Sequence, residues 1–148
     1  MEIKEIKMDL FDVPKDYTLV HCISQDCAMG KGIAKTFDNK YPGMKSYLYN
    51  LIRDEGLHFP IAIGYRGDEN QHDVINMITK AKYWHKPTYT NFTVALKNTA
   101  TLCKEYNIKK LAMPKIGCGL DRLNWSKVKS IIENCFKDLD IEIIICYL

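Results

Sequence analysis

Residues Met113–Trp125 read MPKIGCGLDRLNW and follow directly on a short apolar segment, Lys110–Met113, that is predicted to be a strand. The loop holds two glycines, Gly117 and Gly119, and a helix is predicted to begin near Trp125. Glycines let the backbone adopt positive φ and approach a ligand closely, and consecutive amides ahead of a helix can bind an anion. Taken alone, G-x-G after a strand is more often an ordinary tight turn than a phosphate loop.

A second loop of the same kind strengthens the phosphate interpretation. Residues His21–Ala34 read HCISQDCAMGKGIA, follow the apolar strand Thr18–Cys22, and open a helix at Gly32. Helix N-termini at the carboxyl ends of strands favour negative charge, so two such loops suggest a diphosphate. Their spacing fits neither G-x-G-x-x-G nor G-x-x-x-x-G-K-[ST], so a standard dinucleotide fold or P-loop is not favoured.

Length and composition indicate a single domain over residues 1–148. The chain has 148 residues, 47% hydrophobic and 26% charged, as is ordinary for a soluble globular protein. No apolar run approaches the ~20 residues that span a bilayer, and the N-terminus lacks a signal-peptide core. We therefore expect a cytoplasmic protein, or a nuclear one in a eukaryote, that is monomeric and has no membrane partner. A net charge of +3 is too small to imply general nucleic-acid affinity.

The cysteines and histidines show no metal-binding or disulfide pattern. Six cysteines form no C-x-x-C pair and have no histidine at zinc-finger spacing, which fits free thiols in a reducing compartment. Cys27 and Cys118 lie in the glycine loops and could be exposed, whereas the other four are expected to be buried. His21, on an apolar strand, is interpreted as a core histidine, and neither it nor His85 has a ligand partner. We expect no metal and no cofactor.

Apolar segments that alternate with helical periodicity predict an α/β domain with a largely parallel or mixed sheet. Turn residues at Arg66-Gly67-Asp68 predict a hairpin between the third and fourth strands. The predicted strands are Ile3–Lys7, Thr18–Cys22, Ile61–Tyr65, Asp73–Ile78, Lys110–Met113 and Glu142–Cys146. The predicted helices are Gly32–Lys40, Met44–Glu55, Thr88–Tyr106 and Ser126–Asp138.

Four segments in this order resemble the macrodomain family, in the branch of terminal ADP-ribose protein glycohydrolase. They are MDLFDVPKDYTLVHCISQDCAMGKGIAKTF, MITKAKYWHKPTYTNF, MPKIGCGLDRLNW and the terminal ICYL. The resemblance covers nearly the whole chain, and the ordered set is far more specific than any one motif. It implies a three-layer α/β/α fold with a mixed, largely parallel sheet and an ADP-ribose cleft at one end of that sheet.

The resemblance also implies a set of ligand-binding residues. Asp9 matches an aspartate that accepts a hydrogen bond from the adenine amino group, although Met8 stands where the family commonly has glycine. From the residues alone, an aspartate after a strand is more often a cap or a turn former. The two glycine loops would lie along the diphosphate and the distal ribose. The implied ligand-binding residues are Asp9, Leu10, Ser24, Gly30, Gly32, Ile33, Pro114, Ile116, Gly117, Cys118, Gly119, Leu120 and Leu148.

Two further residues match the catalytic positions of this branch. Lys80 stands at the position of a lysine that attacks the anomeric carbon of the distal ribose, and Asp121 at that of an assisting aspartate. A nucleophilic amine must be partly deprotonated, which a desolvated position or nearby cations favour, and a carboxylate can serve as general acid/base. Without the resemblance, Lys80 would be taken for a surface lysine, and Asp121 for a helix cap or a partner of Arg122.

The resemblance therefore implies a hydrolase that removes mono-ADP-ribose from modified acidic side chains through a lysine nucleophile. Alternatives with the same fold are an ADP-ribose 1''-phosphate phosphatase, an O-acyl-ADP-ribose deacylase, a DNA-base ADP-ribosyl hydrolase and a non-catalytic ADP-ribose reader. The cluster Lys80–Lys86, with Tyr83 and Trp84, could stack and steer a nucleic acid or could be a solvated rim. ADP-ribose and ADP-ribosylated protein are the expected partners, with modified DNA as the alternative.

Overall fold

The computed structural model describes residues 1–148 and contains every predicted strand and helix. The second, fourth and sixth strands extend beyond their predicted ends, to Ser24, Lys80 and Tyr147, and a short 3-10 turn, Leu10–Asp12, follows the first strand. The strands are β1 (Glu2–Lys7), β2 (Thr18–Ser24), β3 (Ile61–Tyr65), β4 (Val74–Lys80), β5 (Lys110–Met113) and β6 (Glu142–Tyr147). The helices are α1 (Gly32–Lys40), α2 (Met44–Glu55), α3 (Tyr89–Glu105) and α4 (Trp125–Phe136).

The six strands form one mixed sheet in the order β1-β6-β5-β2-β4-β3. All neighbouring pairs are parallel except β3 with β4, which form the predicted antiparallel hairpin. Parallel neighbours place their carboxyl ends at the same edge of the sheet, which is where open α/β sheets bind ligands. The loops that follow β2, β4 and β5 therefore meet at this edge.

Helices cover both faces of the sheet and give three layers. On one face, α1 and α2 bury Phe37, Leu48 and Ile52 in a core that also contains Leu19 and Ile78 of the strands. On the other face, α3 and α4 bury apolar residues against the alternate side of the same strands; this second core includes Phe92, Leu96, Val128, Ile132, Val20 and Met77. The period-two alternation of side chains thus divides β2 to β6 between two cores, whereas the edge strand β1 is largely exposed.

The helices on the second face have side-chain N-caps, whereas α1 does not. Thr88 accepts a hydrogen bond from the N–H of Asn91 at 3.0 Å, and Asn124 accepts one from the N–H of Lys127 at 3.2 Å. Lys31, the residue before α1, makes no side-chain capping bond. The first N–H groups of a helix have no intrahelical partner, so those of α1 remain open to an anion.

His21 is a core residue, as predicted. Its Nε2 lies 2.7 Å from the Oδ1 of Asn76, and its ring stacks on Phe37 with centroids 3.8 Å apart. Burial lowers the pKa of His21 to about 4, although the hydrogen bond to Asn76 opposes this effect. The neutral ring is therefore part of the packing on the α1 side of the sheet.

Three expectations about the cysteines are wrong. Cys27 lies in the first glycine loop but is fully buried, with a left-handed φ of 55°, in the core that contains Phe37. Cys22 and Cys135, which are predicted to be buried, are only half-buried at the edge of the second core. All six cysteines are free. No helix has the length and apolar character needed to cross a bilayer.

Candidate active site

A cavity of about 610 Å³ opens at the carboxyl edge of β2, β4 and β5, between the two glycine loops. Its size is in the usual range for a small-molecule site. A Cβ atom placed on Gly32 would lie 3.3 Å from Leu120 Cδ1, so the two loops face each other closely. The cavity is lined by Cys22, Ile23, Ser24, Ala28, Met29, Gly30, Lys31, Gly32, Ile33, Ala34, Lys80, Tyr83, Lys86, Pro114, Lys115, Ile116, Gly117, Gly119, Leu120 and Asp121.

Lys80 reaches the cavity from the last position of β4, directly after a β-bulge. Ile23 pairs with Ile78, but the next residue of β2, Ser24, pairs with Lys80, so Thr79 is an extra residue on β4. Bulges bend a strand and change the direction of the side chains that follow, and they are frequent next to active sites. The bulge thus accounts for the placement of Lys80 beside the loop that follows β5.

The central contact of the cavity joins Lys80 to Asp121. Lys80 Nζ lies 2.5 Å from Asp121 Oδ1, and the exposed fractions of the two side chains are 12% and 13%. The alternatives for these residues do not hold, since Lys80 is mostly shielded from solvent and Asp121 pairs with Lys80 and not with Arg122. Asn124, and not Asp121, is the N-cap of α4. A proton can pass directly between an ammonium and a carboxylate in such contact, which is the arrangement that a nucleophile and its base require.

The two cysteines near this pair have raised pKa values. Burial raises the pKa of Cys22 well above its usual value, and the negative charge of Asp121 adds to this effect. Burial also raises the pKa of Cys118, whose thiol donates to the carbonyl of Ile116 at 3.4 Å. The thiolate is the reactive form of cysteine, so both thiols are unreactive at neutral pH.

The first glycine loop has an unusual backbone. Gly32 has φ of 61°, and two non-glycine residues, Cys27 and Met29, also have positive φ, at 55° and 48°. Positive φ is costly for residues with a Cβ and is often found where a loop is shaped for a ligand. This backbone leads to the uncapped start of α1, so the loop presents main-chain N–H groups to the cavity.

The second glycine loop differs from its prediction in one respect. Gly117 has positive φ, 74°, but Gly119 does not, and a Cβ on Gly119 would meet no atom within 4 Å. A Cβ on Gly117 would lie 2.9 Å from Leu123 Cδ1 and 3.2 Å from Phe92. Gly117 is therefore required by backbone and packing, whereas Gly119 leaves open space in the cavity wall. The other residue of this loop with left-handed backbone is Arg122, with φ of 59°.

The charges around the cavity favour an anionic ligand. Four lysines line it, Lys31, Lys80, Lys86 and Lys115, and the one lining carboxylate is Asp121. The ammonium of Lys115 lies 4.0 Å from Glu5, which is not part of the lining, so the other three lysines face the single carboxylate. The ammonium of Lys86 donates to the main-chain carbonyl of Leu120, across the cavity from its own segment. A surplus of ammonium groups together with an uncapped helix N-terminus suits a diphosphate.

Most of the predicted site residues meet in this cavity, but four lie outside its lining. Asp9 accepts a hydrogen bond from the N–H of Phe11 at 2.9 Å and so caps the 3-10 turn. Leu10 is buried in the core, Leu148 is 89% exposed, and Cys118 turns its thiol to its own loop. The adenine contact of Asp9 and the ligand roles of the other three stay predictions. The predicted residues that do line the cavity are Ser24, Gly30, Gly32, Ile33, Lys80, Pro114, Ile116, Gly117, Gly119, Leu120 and Asp121.

Several lining residues were absent from the predicted site. Ala28 and Met29 precede the glycines of the first loop, and Lys115 lies within the MPKIGCG motif, so motif membership could have indicated them. Tyr83 and Lys86 follow Lys80 in a segment without regular structure, and only the K-A-K-Y-W-H-K cluster of charge and aromatic rings hinted at them. No group of three or more His, Cys, Asp and Glu side chains is arranged to hold a metal ion.

The comparisons with known proteins agree with this architecture. The sequence model of the Macro domain matches residues 20–132. The chain is 41% identical to "ADP-ribose glycohydrolase OARD1" of Bos taurus, over 95% of this chain and 88% of that protein. It is 33% identical to a "DNA ADP-ribosyl glycohydrolase" of Mycobacterium bovis, over 85% of this chain and 36% of that protein.

The fold is also that of a solved relative. The structure titled "Macrodomain of Mycobacterium tuberculosis DarG" superimposes with a TM-score of 0.89 at 23% identity, and the match covers 99% of this chain and 97% of that one. The mixed six-stranded sheet, the two loops at its carboxyl edge and the matching sequence model lead to one conclusion: the chain belongs to the macrodomain family.

Proposed function

We propose that the protein is a mono-ADP-ribosyl hydrolase that releases ADP-ribose from modified acidic side chains, with Lys80 as nucleophile and Asp121 as general acid/base. The observation that carries this proposal is the direct contact of the two side chains, 2.5 Å apart, in a cavity between two glycine loops. The relatives named as ADP-ribose glycohydrolases support the reaction class.

The geometry supports a two-step reaction. Asp121 first accepts a proton from the Lys80 ammonium, and the free amine attacks the anomeric carbon of the distal ribose. The bond from that carbon to the ester oxygen breaks, and its electron pair leaves with the carboxylate of the substrate. Asp121 passes its proton to that leaving carboxylate and becomes a carboxylate again. It then takes a proton from water, which attacks the same carbon; the C–N electron pair returns to Lys80, and Asp121 gives the proton back to the Lys80 amine.

The rest of the cavity would hold the ligand during these steps. The uncapped N-terminus of α1 and the lysines of the lining favour the two phosphates. The apolar lining residues Ile33 and Ile116 would cover the sugar faces and limit access of water. Binding energy from these remote groups positions the anomeric carbon against Lys80, which lowers the barrier to attack.

A second candidate substrate is an ADP-ribosylated DNA base. Tyr83 and Trp84 are exposed, at 57% and 63%, and their rings meet edge to face with centroids 5.2 Å apart. Tyr83 lines the cavity, and Lys82 lies next to it in the sequence. Aromatic rings beside cations bind single-stranded nucleic acid by stacking, and one relative is named a DNA ADP-ribosyl glycohydrolase.

A substrate panel with one readout, released ADP-ribose, tests the proposal. The panel contains a glutamate-ADP-ribosylated peptide, ADP-ribosylated single-stranded DNA, ADP-ribose 1''-phosphate and O-acetyl-ADP-ribose. We expect the peptide to give the highest kcat/KM, and Lys80→Ala to abolish release while Lys97→Ala, an exposed lysine of α3, retains it. Binding of ADP-ribose without release from any substrate would identify a reader and contradict the proposal.

The same panel separates the two macromolecular substrates. If DNA is the better substrate, Trp84→Ala should lower kcat/KM for DNA by about 5- to 150-fold, the usual value of one base stacked on an aromatic ring. The same variant should leave turnover of the peptide and of ADP-ribose 1''-phosphate close to the parent value. Equal effects on all four substrates would show that Trp84 does not contact the DNA.

A further inference from the structure

Asp26 lies where the first glycine loop meets the segment after Lys80, and its carboxylate joins the two. Oδ2 accepts a hydrogen bond from the N–H of Tyr83 at 3.1 Å. Oδ1 accepts one from the N–H of Ala28 at 3.2 Å and another from the hydroxyl of Ser24. None of the catalytic steps above uses this carboxylate, and Asp26 does not line the cavity.

The main chain around Asp26 continues the pairing of β2 with β4 beyond the bulge. The N–H of Gln25 donates to the carbonyl of Lys80 at 2.8 Å, and the N–H of Asp26 donates to the carbonyl of Ala81 at 3.2 Å. Together with the bond from the Tyr83 N–H, these hydrogen bonds connect Gln25 and Asp26 to the main chain at positions 80, 81 and 83. The residues that follow β2 therefore hold the backbone of Lys80 and of the segment that leaves the sheet after it.

These contacts are strong because Asp26 carries a charge. Partial burial opposes ionisation, but the hydrogen bonds from Ser24, Tyr83 and Ala28 outweigh it and hold the pKa of Asp26 below its usual value. A carboxylate at neutral pH makes all three hydrogen bonds charge-assisted, which strengthens each about twofold over a neutral pair. Of the three, the bond from the Tyr83 N–H is the one that joins the loop to the segment after β4.

We propose that Asp26 is a positioning residue, which holds the end of β4 so that the Lys80 amine faces Asp121 and the anomeric carbon. The inference rests on the proposed function, since it assigns Asp26 to the same reaction. A misplacement of about 1 Å between reacting groups can cost 10²-fold in rate without loss of ligand binding. Asp26 therefore contributes to kcat through the placement of Lys80 and not through contact with the substrate.

Asp26→Asn is the discriminating variant, because asparagine retains one acceptor oxygen. That oxygen can still serve the Ser24 hydroxyl and the Ala28 N–H, whereas the new NH₂ group faces the N–H of Tyr83. We expect kcat to fall at least about tenfold while the Kd of ADP-ribose stays within about threefold. Hydrogen exchange of the Tyr83 amide should become faster. Asp138→Asn, which changes an exposed carboxylate after α4 with no recorded side-chain contact, is the matched control.

A second variant removes the donor instead of the acceptor. Incorporation of the α-hydroxy acid counterpart of tyrosine at position 83 replaces the N–H by an ester oxygen and changes no side chain. It should reproduce the loss of kcat with unchanged ADP-ribose affinity. Because this change leaves Asp26 and its own loop intact, it also tests the inference if Asp26→Asn does not fold.

The outcomes are distinct. Parent-like kcat in both variants overturns the inference, and so does a joint fall of kcat, ADP-ribose affinity and melting temperature, which would mark a general structural role. A parent enzyme that binds ADP-ribose but releases none from any substrate contradicts the proposed function. An active parent whose kcat is retained in both variants contradicts the positioning role alone.

Discussion

Lys80 Nζ and Asp121 Oδ1 lie 2.5 Å apart, although the two residues are separated by 41 positions in the sequence. The contact exists because β4 ends next to β2, β2 lies next to β5, and the loop after β5 returns across the same edge of the sheet. Both side chains are mostly shielded from solvent, so each charged group is stabilised by the opposite charge of the other.

Removal of the carboxylate should affect the chemical step far more than binding. Asp121→Ala is expected to lower the single-turnover rate by about 10²–10⁴, the usual loss when a general acid/base is removed. The Kd of ADP-ribose should change little, because other residues are proposed to hold the phosphates and the adenine. Rates come from rapid-quench assays and affinities from calorimetry. A loss of affinity equal to the loss of rate would instead place Asp121 in ground-state binding.

The two glycines of the second loop should respond differently to the same substitution. Gly117→Ala is expected to lower the free energy of unfolding by at least about 1–2 kcal/mol, because left-handed backbone disfavours a Cβ and the methyl group would meet Leu123. Gly119→Ala should leave stability unchanged, since a Cβ there meets no atom within 4 Å. Urea denaturation of both variants measures the difference.

The larger substitution Gly119→Val tests whether this position lies against the ligand. The side chain should fit the fold, as judged by circular dichroism, but would project into the cavity and weaken ADP-ribose binding at least tenfold. Steric exclusion from the cavity is now the expected cause, because Gly119 does not have positive φ. If Gly119→Val folds and binds ADP-ribose with the affinity of the parent protein, this loop does not line the phosphate site.

In the structure Asp9 caps a 3-10 turn, and it is also predicted to accept a hydrogen bond from adenine. Two variants separate these roles. Asp9→Ala should lose both and reduce ADP-ribose affinity by roughly 10- to 150-fold, the equivalent of a charge-assisted hydrogen bond of about 1.5–3 kcal/mol. Asp9→Asn retains a good N-cap and should preserve the melting temperature. If Asp9→Ala binds ADP-ribose with the affinity of the parent protein, Asp9 caps the turn and does not contact the adenine.

Stability should depend on pH through His21. Its folded pKa, about 4, lies below the ordinary 6.5, so the folded state disfavours the charged ring. The stability that this neutral ring contributes is complete above pH 6.5 and is lost as pH falls from 6.5 toward 4. Linkage gives a loss of about 2 kcal/mol between pH 7 and pH 5.

Denaturation at pH 7 and pH 5 measures this loss, and His21→Gln should remove most of it. His85→Gln, at an exposed histidine, should keep the parent dependence. Direct titration of the His21 ring by NMR is independent of the variants. A midpoint near 6.5 in the folded protein would contradict the account.

The strands and helices were predictable because their signals are local. Apolar runs such as Thr18–Cys22 and the proline before α3 depend only on neighbouring residues, and the structure has these elements close to their predicted positions. The ordered motifs also identified about half of the residues that line the cavity, whereas Tyr83 and Lys86 were not predicted. Lys80 and Asp121 came from the resemblance, since nothing in their local sequence distinguishes them from a surface lysine and a helix cap.

Features that depend on tertiary pairing were not predictable. The bulge at Thr79 arises from the register between β2 and β4, and no local pattern marks it. The buried Cys27 follows from a left-handed backbone at a non-glycine residue, which composition does not indicate. The bond from Asp26 to the Tyr83 N–H joins segments 57 positions apart. Each feature depends on how two segments that are distant in the sequence meet in the fold. The local sequence of one segment does not determine this.

The most direct test of the catalytic account is intact mass spectrometry of the protein mixed with a glutamate-ADP-ribosylated peptide and quenched during turnover. The account predicts a covalent ADP-ribosyl adduct on the parent protein, mapped by fragmentation to Lys80, as either a displacement product or a Schiff base that borohydride added with the quench reduces to a stable amine. Lys80→Ala should show no adduct and almost no activity while it still binds ADP-ribose, and Lys97→Ala should behave as the parent. Full hydrolysis by Lys80→Ala would contradict the lysine mechanism and leave direct attack by water activated at Asp121.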